Sequence, residues 1–538
     1  MNSSHDFSRR RHTAGISLAI GTALCALCGI FPAHAQLVDR TLAPNIANEG
    51  IAKSYADEIG AGRGDVLTPG SSAYIIARDP FRSIRRGRQL FQRKFTHAQG
   101  VGPLTGDGSG DMNTMAAIGA GLSDSCAACH GRPRGAAGFG GDVATRPDSR
   151  DAPHLFGLGL KEMLADEITA DLRRIRDAAK AEAAQRGRSV TKALRSKGIA
   201  YGAITASASG SVDASGVEGV DADLRVKPFF AHGGTISIRE FVAGALNDEM
   251  GLQSVDPTLA AAKAGARVVT PAGMVLDGAR DEISAPKAAG ATDDPDGDGV
   301  LNEVPASILD HFEFYLLNYF KPGLYETEKN CGESGRRSFV TIGCARCHIP
   351  DLTVERDRRV ADVETVFDAE RGIFNGLFAT ATGLFNTVDD GSGQPALKQP
   401  KLGRFVVKSI FTDFKRHDLG AGFYERNYDG TTRTHFLTTA LWGVGSTAPY
   451  GHDGRSINLA EVILRHGGEA EHEAERFNRL GRAGQAAIID FLQTLVIFPP
   501  DDTASNLNPG NKADPNFPQA GHGNIKLPVL FNNPADPE

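Results

Sequence analysis

Apolar and polar positions alternate along this chain in blocks that predict helices joined by long polar loops. After Arg9-Arg10-Arg11 an apolar run extends from Ala14 to Phe31 and is followed by Ala33-His34-Ala35, the small-residue pattern of a signal-peptide cleavage site. Residues 1–35 therefore read as a signal peptide, and the mature chain begins at Gln36; an uncleaved anchor helix is the competing reading. Residues 36–79 form an N-terminal extension. Lys161 to Arg195 is a charged, alanine-rich helical run, Gly198 to Asp223 is small and polar and reads as hairpin or loop, and Ile238 to Met250 is helical again. Leu459, Val462, Ile463 and His466 recur at i, i+3, i+4 and i+7, with Asn458 and Glu461 placed as N-cap and capping-box partner and Gly467-Gly468 as the stop. Residues 499–538, rich in Pro, Asn and Asp, predict an extended tail over the surface.

The composition changes this picture little. With 538 residues, 41% hydrophobic and 23% charged, the chain is an ordinary soluble globular protein, not a polytopic membrane protein, a collagen or a mostly disordered chain. A net charge of −7 gives no basic groove, so no nucleic-acid partner is expected, and no membrane span remains after signal cleavage.

Cysteine usage carries the chemistry. Of seven cysteines, Cys25 and Cys28 leave with the signal, and four of the rest form Cys126/Cys129 and Cys344/Cys347, each pair followed directly by His130 or His348. Two copies of C-x-x-C-H are the attachment signature of c-type haem: two thiols add to the haem vinyl groups and the adjacent imidazole supplies an axial nitrogen. Zinc or a thioredoxin-like dithiol are the rivals, but neither needs histidine in both copies. Cys331 is left over and reads as an unpaired thiol without a role. A weak repeat supports two haem modules: Gly87-Arg88-Gln89-Leu90-Phe91 precedes the first motif and Gly335-Arg336-Arg337-Ser338-Phe339 the second. The chain is thus expected to be mainly α, with two cytochrome c-like haem domains carrying long loop insertions, at residues 80–330 and 331–498.

A family resemblance rests on Leu441-Trp442-Gly443-Val444-Gly445-Ser446-Thr447-Ala448-Pro449-Tyr450-Gly451-His452-Asp453-Gly454-Arg455, then Leu459 to Ile463 and His466-Gly467-Gly468-Glu469-Ala470. Pro153 to Leu160, Phe414 through His417-Asp418-Leu419-Gly420 and Gly343 to His348 extend it. In this order they resemble the bacterial di-haem cytochrome c peroxidase superfamily, most closely its di-haem oxidoreductase, thiol-oxidoreductase-like branch, over about residues 80 to 497. The resemblance implies a periplasmic enzyme in which the N-terminal haem reacts with hydrogen peroxide. The C-terminal haem would relay electrons from a small donor, cytochrome c or cupredoxin. Dimers occur among such relatives, so a homodimer is an allowed assembly.

The resemblance also implies ligands. The relay haem of the peroxidases usually takes Met, yet all six Met residues here lie at or before Met274. The family's ligand position falls fourteen residues after His452, at His466. On spacing alone His466 reads as a core histidine ending an apolar stripe; the family position makes it the axial ligand opposite His348. His417, His435, His452 and His472 are its rivals. For the first haem His130 is proximal, His232 and Glu240 are acid/base candidates, and His154 or Met163 are alternative iron ligands, each against a reading as surface charge or core packing. Trp442 could stand between the haems or simply pack.

Asp294, Asp296 and Asp298 with Gly299 open like a calcium loop, but Pro305 stands where an EF-hand needs Glu; calcium and a solvated acidic turn both remain readings. Two other functions stay open. One is a di-haem dioxygenase that cleaves an organic substrate, of the rubber-oxygenase type, with Phe229 and Phe230 roofing its site. The other is a non-catalytic electron carrier.

Overall fold

The computed structural model describes residues 54–95, 123–131, 137–140, 142–143, 148, 150–295, 299–320, 323–324, 331–367, 377–427 and 429–496. The signal peptide, residues 36–53 of the N-terminal extension, and the tail 499–538 lie outside the described residues, as do Asp296 and Asp298.

The helices run in chain order as α1 (Tyr55–Ile59), α2 (Ser72–Arg78), α3 (Pro80–Gln92), α4 (Cys126–His130), α5 (Leu158–Arg186), α6 (Ile238–Asp248), α7 (Pro257–Lys263) and α8 (Ala306–Asn318). The C-terminal part adds α9 (Cys331–Ile342), α10 (Leu459–Arg465), α11 (Glu471–Arg479) and α12 (Gly481–Gln493). Their starts follow local chemistry: Ser71, Ser125, Ser237 and Asn458 each accept a backbone N–H of the first turn, and Pro80 opens α3 with its preset φ.

The expectation of a mainly α protein is corrected by the structure. Among the described residues 38% are helical and 18% are strand, in eight two-stranded sheets and one three-stranded sheet. The strands occupy the insertions. Val190–Ser196 pairs antiparallel with Ile199–Ala206, and the latter with Val212–Asp213. Val190, Leu194 and Ser196 are buried while Thr191, Ala193 and Arg195 are exposed, the two-residue alternation of a strand. The helical run read from Lys161 to Arg195 therefore ends at Arg186, where Gly187 takes a left-handed φ of 62°. In the C-terminal half, Leu352–Val354 pairs with Phe405–Val407, Ala361–Phe367 with Leu377–Gly383, and Arg416–Asp418 with His435–Leu437.

Three buried clusters hold these elements. The first surrounds α8, which is buried from Ser307 to Asn318 and packs on α3 and α6. The second joins α5 and its hairpin to Leu352, Val407, Phe414 and Trp442 from the C-terminal half. The third is aromatic, with Phe339 of α9, Phe411, and Phe491 of α12 in mutual edge contact.

The weak repeat of the sequence corresponds to a shared piece of architecture. A Cβ on Gly87 would lie 2.3 Å from the His311 carbonyl oxygen of α8, and one on Gly335 would lie 1.8 Å from the Ala487 carbonyl oxygen of α12. In both places glycine lets two helices touch backbone to backbone. Four residues on, Phe91 stands 6.5 Å from the ring of His130 and Phe339 stands 6.0 Å from that of His348.

Candidate haem-attachment sites

The first motif is the single turn α4, opened by the Ser125 hydroxyl, which accepts from the Ala128 N–H at 3.2 Å. His130 closes the turn and its Nδ1 lies 2.7 Å from the Pro153 carbonyl oxygen. A carbonyl can only accept, so Nδ1 carries the proton. Burial pushes the imidazole down to about 4, so the ring is neutral and Nε2 keeps its lone pair.

The second motif repeats that logic on a 3-10 turn, Cys344–Arg346, entered through Gly343 at φ 107°. His348 Nδ1 donates to the Phe411 carbonyl oxygen at 3.0 Å, and burial lowers the ring to about 4. His466 caps the C-terminal end of α10 and bends back so that its Nδ1 donates to the Val462 carbonyl oxygen at 2.7 Å. Its ring is likewise held neutral by burial. His466 and His417 are both within electrostatic reach of His348 and add to the lowering of its pKa. Phe423 packs edge-on against His466 at 5.3 Å.

These residues fit covalently attached haem. None of the four thiols is in a disulfide. Burial pushes Cys126 and Cys344 up to about 12, opposite to the lowered thiol of a thioredoxin-like pair. Three imidazoles have committed Nδ1 to a backbone carbonyl, the outer-shell arrangement that orients a metal-ligating histidine. Among the described residues the one set of His, Cys, Asp and Glu atoms gathered as for a metal ion is Cys347, Asp413 and His417, and it contains neither Cys344 nor His348. That set takes one cysteine from the second motif and none from the first.

Of the rivals of His466, His417 also stands beside the second motif, gathered with Cys347 and Asp413 and within electrostatic reach of His348. His417 is held at both ring nitrogens by carboxylates, Asp413 at 3.0 Å and Glu469 at 2.7 Å. His452 stacks on Phe436 at 4.1 Å and lies 3.9 Å from Glu425. His435 and His472 are exposed, with His435 bonded to the Thr434 hydroxyl at 2.8 Å.

Around the first motif the sequence candidates separate. Glu240 is the capping-box partner of α6: one carboxylate oxygen accepts from the Ser237 hydroxyl at 2.7 Å and the other from the Ser284 N–H at 2.8 Å. Both oxygens are thus engaged in holding the fold. His232 stacks on Phe230 and lines an open cleft of about 490 Å³ with Arg416, Arg433 and His435, at the seam with the C-terminal half. Met163 is buried in the second cluster, where its sulfur accepts from the Arg358 N–H. His154 follows Pro153, the residue that holds His130, and therefore sits beside the proximal imidazole; its Nε2 donates to the Trp442 carbonyl oxygen at 2.9 Å. The Trp442 indole is buried against Phe320 and Gly157, so this residue spans the two halves through both its backbone and its ring. Phe229 is buried, and both Phe229 and Phe230 pack on Phe241.

Asp294 accepts from the Gly299 N–H at 3.1 Å; the other two aspartates of that motif, and the side chain of Cys331, lie outside the described residues.

Sequence reasoning missed Glu249. This C-cap residue of α6 lies within electrostatic reach of Cys129, where its carboxylate adds to the effect of burial in raising the thiol pKa. A signal existed: a carboxylate at the C-terminal end of a helix opposes the macrodipole, so Asp248-Glu249 there asks for another partner.

Residues 351–495 match the family described as di-haem oxidoreductase, putative peroxidase. Over this stretch the chain is similar to that family, whose name implies haem cofactors and oxidoreductase chemistry. The match begins just after His348 and includes Trp442, His452 and His466. No curated protein and no solved structure matches the chain.

Proposed function

We propose that the protein is an exported c-type di-haem oxidoreductase that reduces hydrogen peroxide at the N-terminal haem, with electrons relayed by the C-terminal haem from a small periplasmic donor. The observation that carries this reading is the shared poise of His130, His348 and His466, each with Nδ1–H on a backbone carbonyl and Nε2 left for iron. Cys126, Cys129 and His130 would hold one haem; Cys344, Cys347 and His348 would hold the other, with His466 as its second ligand. Export rests on Arg9 to Arg11, the apolar run and Ala33-His34-Ala35. No helix of the described residues is long and apolar enough to cross a membrane.

Bound haem supplies iron that exchanges single electrons and activates the oxygen–oxygen bond of peroxide. The protein's part is orientation, ligand electronics and protons. Pro153 and Phe411 fix the proximal rings and, as acceptors, make them more basic ligands. The pairing of His348 with His466 suits a relay site, which must change little between oxidation states. Peroxide reduction takes up two electrons and two protons per turnover, and Glu249 is placed to hold and deliver a proton beside the first attachment site. The His154–Trp442 hydrogen bond ties the wall of the first site to residues next to the second.

The test is spectroscopic, on protein produced with cytochrome maturation. Two haems per chain should be counted by pyridine haemochrome. His466→Ala should convert one low-spin signal to high-spin, while the N-terminal haem should be high-spin in the half-reduced state and respond to peroxide. Glu249→Gln should lower peroxidase kcat by about 10²–10⁴-fold. Purely low-spin haem that ignores peroxide would show an electron carrier instead, and a stable dioxygen adduct would show an oxygenase.

A further inference from the structure

Residues 150–154 follow the first attachment motif in the chain, yet the other half holds them. Arg150 donates to the Glu425 carboxylate at 2.5 Å, and the Glu425 side chain is 1% exposed. The Asp151 N–H donates to the His452 carbonyl oxygen at 3.1 Å. His154 Nε2 donates to the Trp442 carbonyl oxygen at 2.9 Å. Just upstream, the Asp148 carboxylate accepts from the Arg426 N–H and from its guanidinium, both at 2.8 Å. Between these anchors stands Pro153, whose carbonyl oxygen accepts from His130 Nδ1 at 2.7 Å.

The surface that receives this segment is the His452-Asp453-Gly454 turn, which no step of the proposed chemistry uses. Gly454 has a φ of 63°, and a Cβ there would lie 3.2 Å from the Asp151 Cβ, so glycine lets the turn lie close against the segment. Asp453 accepts from Arg465 Nη1 at 2.9 Å. Arg465 is the last residue of α10 and the neighbour of His466. An unbroken series of contacts therefore runs from α10 through Asp453, His452 and Asp151 to Pro153 and His130. Main-chain bonds within the first half flank the same place, from the Gly140 N–H to Ala152 at 3.3 Å and from the Leu155 N–H to Ala137 at 3.1 Å.

We propose that residues 150–154 are a brace through which the C-terminal half fixes the proximal ligand of the first haem, with Arg150 and Glu425 as its positioning pair. This rests on the di-haem reading above. Proline has no N–H with which to anchor itself, so the Pro153 carbonyl is placed by its neighbours. By accepting from Nδ1, that carbonyl makes the imidazole a stronger donor to oxidised iron and lowers the reduction potential of the haem it serves. Hydrogen bonds weaken steeply with misalignment. A slackened brace therefore raises the potential of the first haem.

The experiment is a spectroelectrochemical titration of the holoprotein and its Arg150→Gln, Glu425→Gln and doubly substituted variants. Each is first shown by pyridine haemochrome to carry two haems, a count that tests the di-haem reading separately. The same midpoint potential should rise in both single variants, and the double variant should move it no further than the larger single effect, because both act through one contact. Arg150→Lys should bring it back toward the wild-type value. Loss of charge alone predicts otherwise: removing a cation lowers a midpoint and removing an anion raises it, so opposite shifts in the two single variants overturn the proposal. Unchanged midpoints, or equal shifts of both haems, also overturn it. Should Arg150→Gln not accumulate, Glu425 keeps Arg433 and His452 each at 3.9 Å in the Arg150→Lys protein. The comparison of Arg150→Lys with Glu425→Gln then carries the test, and a midpoint unmoved in both overturns the brace.

Discussion

Arg239 has no exposed side-chain surface and reaches Asp256 at 2.5 Å, Asp310 at 2.8 Å and Glu313 at 2.9 Å. Removing it leaves these carboxylates buried without their cation, so Arg239→Met should cost about 3–5 kcal/mol in chemical denaturation of the holoprotein. Glu240 presents the opposite case. Burial raises its carboxyl from 4.5 to about 7, so the folded state holds its proton more tightly than the unfolded chain. The stability this gives is complete below pH 4.5 and is lost as pH rises through 7. Glu240→Gln keeps the neutral form at every pH. Its Tm should therefore gain on that of wild type between pH 5 and pH 8, and a constant difference would refute this. At this scale the two C-x-x-C-H motifs were legible, since their spacing is local, whereas the reading of His466 came from the family resemblance and not from its spacing. Glu249 was not legible, because the neighbour that sets it apart, Cys129, is brought to it from a distant segment.

Elements were legible where their signals are local. Asn458 accepts from the Glu461 N–H at 2.9 Å and Glu461 reaches back to the Ile457 N–H at 2.7 Å, the reciprocal cap read from the sequence. Asn458→Ala should cost about 0.5–2 kcal/mol. Because His466 ends this seven-residue helix, the loss should also appear as a lower temperature for disappearance of the low-spin signal. The strands were the failure. The Thr191 to Arg195 stretch continues the charged composition of α5, and composition masked the change from a helical period to a two-residue one. The short pairs between 352 and 437 lack the length for a periodic signal; they form because each has a partner to hydrogen-bond, such as Leu352–Val354 with Phe405–Val407.

For the whole molecule, the boundary drawn at residue 331 separates the attachment motifs but not the packing. Val360, Ala361, Val363 and Ala381 belong to the core around α8. The loop beyond them returns to α2, where Arg78 bonds the Asp390 carboxylate and the Pro395 carbonyl oxygen, both at 2.6 Å. Arg78→Met should cost about 1.5–3 kcal/mol and hasten proteolysis near Gly391; an unchanged cleavage rate would show that Arg78 does not hold the loop. The seam around Trp442 has the same character, with α5 of the first half packed against strands of the second.

From its order of residues alone, the chain determined where the two C-x-x-C-H motifs stand and how α10 begins and ends. Each of these depends on atoms a few residues apart, whose geometry the backbone sets directly. Tertiary structure decided that Glu240 is spent on a helix cap and that Glu249 comes within electrostatic reach of Cys129. These depend on which remote surfaces exclude water together, and burial, more than identity, sets what a titratable group can do.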